Sequence, residues 1–304
     1  MRPSLDWLLV FVPVAIFIHY LHFAGETAVF LVSCIAIIPL AGVLGRATEH
    51  LAERTSETVG GLLNATFGNA AELIIGLMAI HRGLYDVAKA SITGSIIGNL
   101  LLVLGGSMLA GGLRRKAQHF NALAARSQAT TLILAAIALT VPAVFHSLAG
   151  QSAPASEDQL GLGIACVLLA SYGLTLLFTL RTHKHLLTAA SVPEGGGKRE
   201  AVWSLGKSLV VLGAATAFTA WISEILVGAV EPAARALHMS NIFVGVIVVA
   251  TVGNAAEHSS AILAAWKNRM DLALAISIGS SLQIALLVAP LLVIASRFLG
   301  PKPM

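Results

Sequence analysis

The sequence predicts an all-α polytopic membrane protein, with about nine transmembrane helices and two inverted repeats. Three observations predict it. The 304 residues are 57% hydrophobic and 11% charged, with a mean hydropathy of +0.84, whereas a soluble domain is about a quarter charged. The apolar runs are continuous and about the roughly 20 residues a spanning helix needs, where a barrel strand would show roughly 10 with alternation. A polar heptapeptide, "TFGNAAE" at 66–72, returns as "TVGNAAE" at 251–257.

Taken in order, the apolar segments place spans at 7–23, 27–47, 57–80, 88–110, 127–148, 159–180, 205–232, 241–265 and 272–298. Arg2 precedes the first run, but no small-residue cleavage site follows before Glu26, so this reads as an uncleaved span. The loop containing "SVPEGGGKRE" carries the Pro and Gly of a linker. The division is then residues 1–26 as an extra span, 27–181 as a first half, 182–204 as a linker and 205–304 as a second half.

Lys and Arg placement sets the orientation. With the N-terminus inside, only Arg82, Lys89, Arg235, Arg297 and Lys302 of the 19 basic residues fall outside. The N-terminal side is therefore read as cytoplasmic, and compact loops fit a bacterial inner membrane. The net charge of +4 reflects basic cytoplasmic loops and implies no nucleic-acid partner. Cys34 and Cys166 lie in apolar runs without disulfide or metal-ligand spacing.

The repeat holds its register at a shift of 185 residues: Asp86 falls on Asp271, Gly94 on Gly279 and Ser95 on Ser280. Small residues match by composition; Asn, Glu, Asp and Thr at one shift do not. Five spans separate the two motif helices, an odd number, so they cross the membrane in opposite directions. Inverted repeats of this kind characterise secondary transporters, whose sites lie near the midplane at discontinuous helices. The Gly-Asn pair ahead of each glutamate fits such a break.

Glu72 and Glu257 carry the strongest chemistry. A carboxylate at the centre of a spanning helix costs roughly 2.5–3.5 kcal/mol on insertion scales. Either protons or a cation must compensate. Two carboxylates with neutral oxygens suit a hard ion such as calcium, which takes 6–8 oxygen ligands. Asn69 and Asn254 lie three residues before the glutamates. Ser95 with Asn99, and Ser280 with Gln283, lie on single helix faces one span later. Backbone carbonyls of Gly68 and Gly253 add candidate ligands. The plainer reading is that such groups join neighbouring helices. His258 follows Glu257 and reads equally as a proton relay or as a packed histidine. Asp86 and Asp271 open spans, where helix capping explains them.

The stretches "GGLLNATFGNAAELIIGLMAI" and "GNAAEHSSAILAAWKNRMDLALAISIGSSLQIALLVAP" resemble the two α-repeats of the cation/proton exchangers, the CAX branch of the calcium/cation antiporter superfamily. "GSIIGNLLLVLGGSMLAGG" is similar to the span after the first repeat, and the resemblance runs from about residue 27 to 296. Sodium-coupled relatives carry a Pro-Glu pair in each motif. Here Ala71 and Ala256 precede the glutamates, which favours proton coupling. The resemblance implies that Glu72 and Glu257 bind Ca²⁺ when ionised and H⁺ when not. It also implies that Asn69, Ser95, Asn99, Asn254, Ser280 and Gln283 line the site, and that the second and seventh spans rock past it.

Two features depart from the family. It has eleven spans, and the second half here shows three clear spans where five are expected. Its members often carry an acidic central loop, and this one is basic. Expected partners are Ca²⁺, H⁺ and the lipid bilayer, with a homo-oligomer left open. No cofactor and no enzymatic reaction are expected. Other readings are exchange of Na⁺, K⁺ or Mn²⁺ against H⁺, Na⁺/Ca²⁺ exchange, or a channel. An intramembrane metalloenzyme lacks its H-E-x-x-H pattern.

Overall fold

The computed structural model describes residues 5–22, 24–149, 154–182 and 203–304. Most of the 182–204 linker therefore lies outside the described residues. All regular structure among the described residues is helical. A 3-10 turn, Leu5–Val10, leads into α1 (Phe11–Tyr20). The first half continues with α2 (Glu26–Ala52), α3 (Glu57–Phe67), α4 (Ala70–His81), α5 (Tyr85–Gly112), α6 (Ala122–Ala149) and α7 (Pro154–Leu177). The second half holds α8 (Leu205–Ala236), α9 (Asn241–Gly253), α10 (Ala255–Trp266) and α11 (Met270–Leu299).

Among the described residues, six helices are long and apolar enough to span on their own, and α9 with α10 make a seventh, bent by 62°. The other two expected spans correspond to shorter apolar helices, Leu5–Tyr20 and Ala70–His81. The nine-span reading thus has a helix at each place, but two fall short of a full span. The motif in the first half explains one of these. Its span is divided into α3 and α4 at Gly68 and Asn69.

Local signals set the ends. Ser56, Ser204 and Ser240 stand as N-caps, each accepting a backbone N–H three residues on, from Val59, Lys207 and Phe243. Gly83 closes α4 at φ +73°, the left-handed region where a side chain is strained. Among the described residues, four π-helical turns lie in the spans: Gly98–Val103, Phe178–Thr182, Val244–Val249 and Ile284–Val288. The first and last occupy repeat-related positions: the first contains Asn99 and the last starts directly after Gln283.

The chain divides into two compact units, each drawing on both halves of the sequence. The first takes the described residues of Met1–Ser95, Val202–Ala256 and Leu299–Pro301. In it α2 packs along α8. Leu44, Ala47 and Leu51 of α2 form a buried cluster with Leu212 and Ala215 of α8 and with Ala70 and Ala71. This cluster anchors the start of α4, one residue before Glu72. Lipid supplies no hydrophobic force between helices, so such contacts rest on close fit and small residues.

The helices α5 and α9 approach closely in the same unit. A Cβ placed on Gly94 would lie 2.2 Å from the Val246 carbonyl oxygen, and one on Gly245 would lie 2.7 Å from Ala90 Cβ. The repeat partner of Gly94, Gly279, has nothing within 4 Å of such a Cβ. Gly94→Ala therefore forces backbone apart, and overpacking of this kind costs about 1–3 kcal/mol. We expect Gly94→Ala to lower the melting midpoint in detergent and Gly279→Ala to leave it unchanged or raised, checked by thermal unfolding of the two variants side by side.

The second unit takes the described residues of Ile96–Ala201 with Glu257–Phe298 and Lys302–Met304. Asn99, Val103, Ser107 and Gly111 make a buried row along α5, which packs on α11. The helices α6 and α7 also pack on α11, and Leu132, Ala135, Ala165, Leu168 and Tyr172 are their buried side chains. Asp271 does not cap its own helix. It accepts the Asn121 backbone N–H at 2.6 Å, while the Asn121 side chain caps α6 by accepting from Leu123 and Ala124. The expected cap is thus not made at Asp271, whose carboxylate serves Asn121 instead. At the other end of α11, Arg297 binds the Asp158 carboxylate at 2.6 Å.

Candidate cation site

Each motif breaks at its asparagine. Asn69 has φ −106°, ψ 30° and Asn254 has φ −94°, ψ 7°, and a new helix starts at the next residue. Glu72 and Glu257 therefore sit in the first turns of α4 and α10. The helix dipole favours negative charge there by about 0.3–1 kcal/mol. That offsets only part of the roughly 2.5–3.5 kcal/mol cost of a carboxylate at membrane depth. The balance is left for a cation or a proton.

In the first unit, Asn254 is fully buried. Its amide nitrogen donates to the Ser95 hydroxyl at 2.8 Å and to the Ala250 carbonyl at 2.9 Å. Its Oδ1 has no hydrogen-bond partner. An asparagine at a helix start ordinarily gives that oxygen to a backbone N–H; this one keeps it unused. Glu72 lies against Gly253, where an added Cβ would stand 3.6 Å from the Glu72 Cγ and Oε1. Asn69 is fully buried, and its side chain does not cap α4. The first unit thus joins Glu72, Gly253, Asn254 and Ser95. Gly68 and Asn69 belong to the same break.

In the second unit, the Ser280 hydroxyl hydrogen-bonds the Glu257 carboxylate. Asn99 Nδ2 donates to Ser280 Oγ at 3.1 Å, and His258 Nε2 lies 3.2 Å from Asn99 Oδ1. Because the Asn99 nitrogen serves Ser280, its oxygen accepts and His258 donates. One chain of bonds thus runs from His258 through Asn99 and Ser280 to Glu257. The other carboxylate oxygen, Glu257 Oε2, is buried without a hydrogen-bond partner. Gln283 lies one turn beyond Ser280, where α11 passes into its π-helical turn.

Buried oxygens without donors are rare and call for an ion or water. Glu257 Oε2 and Asn254 Oδ1 are two such oxygens in the duplicated motif. The sequence did not reveal that Asn99 has both amide atoms engaged, nor that His258 is linked to it. The N-x-x-E spacing does carry the signal of a helix start, as a capping box does. It would have placed each carboxylate in a first turn.

An all-helical membrane bundle with two broken motif helices and acid-amide clusters at the breaks is the architecture of a cation-exchange transporter. The model of the family described as "Sodium/calcium exchanger protein" matches residues 25–181 and 207–303, and the chain belongs to that family. A Ca(2+)/H(+) antiporter of Aphanothece halophytica is 44% identical over 312 aligned positions, covering 98% of this chain and 82% of that protein. The Ca(2+)/H(+) antiporter ChaA of Bacillus subtilis (strain 168) is 45% identical, covering 94% and 81%. The structure of native YfkE superposes with a TM-score of 0.83 at 41% identity, over 99% of this chain and 84% of that one. The H+/Ca2+ exchanger CAX shares the fold, with a TM-score of 0.73 at 14% identity, over 99% and 75%.

Proposed function

We propose that this chain is a secondary antiporter that moves Ca²⁺ out of the cytoplasm in exchange for H⁺. The observation that carries this reading is the pair of glutamates, Glu72 buried and Glu257 partly buried, each in the first turn of a helix that starts after a repeat-related asparagine. The names of its relatives as Ca(2+)/H(+) antiporters support the choice of ions. Glu72 and Glu257 hold Ca²⁺ when ionised and release it when protonated. The two ions compete for the same oxygens, so one crossing must alternate with the other, and no ATP is needed. Asn254 Oδ1 and Glu257 Oε2 are the protein's ready ligands. The amide oxygens of Asn69 and Gln283 and the Ser280 hydroxyl complete the set with the Gly68 and Gly253 carbonyls, and Ser95 holds Asn254 in place. His258 and Asn99 position Ser280 on Glu257 and link the carboxylate to a titratable ring. The chain acts as an integral protein of a bacterial inner membrane, with its N-terminus on the cytoplasmic side.

Sliding of α2 and α8 opens the site to one side at a time. Their packing supports this role. Ser33 of α2 and Ser208, Thr219 and Ser223 of α8 are buried with hydroxyls that lack partners, so no side-chain hydrogen bond of theirs holds one register.

Purified chain in proteoliposomes with an acidic lumen tests the proposal. Calcium uptake that stops when the proton gradient is dissipated is the expected result. Uptake of Na⁺, K⁺ or Mn²⁺ instead would favour the alternative on the same scaffold, because oxygen ligands suit several hard ions. Conductance events without gradient coupling would mark a channel. The pH dependence has a fixed sign. Each proton displaced weakens calcium binding roughly tenfold for each unit by which pH falls through the competing range. Calcium titrations at stepped pH are expected to show affinity falling toward acid, and a pH-independent affinity would refute competition at the carboxylates.

A further inference from the structure

Arg82 stands at the end of α4, the helix whose first turn carries Glu72. Its guanidinium reaches to α8, on which α4 packs within the first unit. There it meets the Glu224 carboxylate at 3.5 Å, and both side chains are well exposed. Pairs of this kind hold loosely. The guanidinium also lies against Gly228, where an added Cβ would stand 2.9 Å from Arg82 Nη1 and 3.2 Å from Cζ. Glu231 comes next on α8 and is loosely engaged as well, 3.9 Å from Arg235.

Positions 224, 228 and 231 follow the i, i+4, i+7 spacing of a single helix face. The face that Arg82 touches therefore reads carboxylate, glycine, carboxylate, with the two acids about 10 Å apart along the helix axis. The cation lies over the one position of the three that has no side chain to obstruct it. Pro232 adds a separate feature. It has no N–H to offer the Gly228 carbonyl four residues earlier, so the usual helical donor to that oxygen is missing. A guanidinium carries five donors in a fixed fork. Moving from one acid to the other, it passes an acceptor that the helix does not fill.

We propose that Arg82 is a positioning residue that gives α8 two registers against α4. In one it pairs with Glu224, as in this structure. In the other it pairs with Glu231, and Gly228 is the gap between them. This rests on the sliding of α8 proposed above and supplies its stops. Packed elements move past one another between discrete arrangements, not continuously. A cation facing two carboxylates along the line of travel divides that travel into two states. Arg82 touches no transported ion; it sets which register α8 rests in and how readily the register changes.

Charge exchange on the full chain in proteoliposomes tests this. Arg82→Glu/Glu224→Arg restores one pair but sets a carboxylate against Glu231, so calcium uptake is expected at a tenth or less of the unmodified rate. Arg82→Glu/Glu224→Arg/Glu231→Arg restores both pairs and is expected to regain at least half of it. A fixed strut needs only the first pair, so equal uptake by the two variants would overturn the proposal. A triple variant no faster than the double, with the same melting midpoint, would overturn it as well. Should the exchanged proteins fail to fold, Glu231→Gln is the milder variant. It is expected to slow uptake at saturating calcium at least fivefold with melting unchanged, and unaltered uptake would count against the second stop. The registers are also read without transport, in a chain with Cys34 and Cys166 replaced by alanine. Cysteines at 82 and 224, or at 82 and 231, are joined by a short bifunctional thiol reagent. Both links are expected, with yields that shift in opposite directions between calcium at neutral pH and acid without calcium. A link at 224 under every condition and none at 231 would remove the second register. This arm stands even where the chain takes up no calcium, a result that would end the antiport reading alone.

Discussion

Glu257→Gln is expected to bring proton-driven calcium uptake to background while leaving the protein folded. The substitution keeps volume and an oxygen for the Ser280 hydroxyl, so the bonds running from His258 through Asn99 and Ser280 can persist. What it removes is the charge, and with it the buried Oε2 that lacks a hydrogen-bond partner. Losing a charge-assisted contact to the cation costs about 1.5–3 kcal/mol, which is roughly ten- to a hundredfold in affinity. Glu72→Gln should behave alike, since Glu72 holds the equivalent first-turn place in α4. The measurement is uptake into acidic-lumen proteoliposomes beside a melting curve in detergent. Full uptake with a lowered melting midpoint would make the glutamates helix-packing groups and would sink the transport role. Lost uptake with an unchanged midpoint is the expected pairing.

The fold was largely legible, because each span announces itself by apolar length and the repeat by its polar letters. A helix stands in each of the nine expected places. Length failed where the backbone breaks. The segment 57–80 reads as one run but divides at Gly68 and Asn69, leaving α4 with 12 residues. Compact units were not legible either. The sequence suggests two successive halves, while the chain changes unit within α5 after Ser95 and within α10 after Ala256. Periodicity along one helix cannot report which distant helix it packs on. The candidate site was legible as residue types and spacing. Its bonding was not: which oxygens of Asn99 and Asn254 are engaged depends on neighbours 159 to 181 residues away. The π-helical turns left no sequence mark, since one extra residue per turn only shifts the phase of an already apolar surface.

Asn254 and Ser95 give the sharpest division between a ligand and a helix-joining pair. Asn254 gives both amide hydrogens to Ser95 and Ala250, which aims Oδ1 without engaging it. If Oδ1 binds the cation, Ser95 acts only by holding it in place. Ser95→Ala then loses one neutral hydrogen bond, about 1 kcal/mol, or roughly fivefold in calcium affinity. Asn254→Ala loses the ligand itself and is expected to weaken binding by tenfold or more, as charge-bearing contacts of about 1.5–3 kcal/mol would. The double variant should bind no worse than Asn254→Ala alone, because Ser95 has nothing left to position. Such non-additivity is the mark of residues acting through one another. Calcium titration of the four proteins, with melting curves on the same samples, measures it. A pair that merely joins α5 to the motif break would show the coupling in melting and not in calcium affinity. Additive losses in affinity would instead place both side chains on the ion independently.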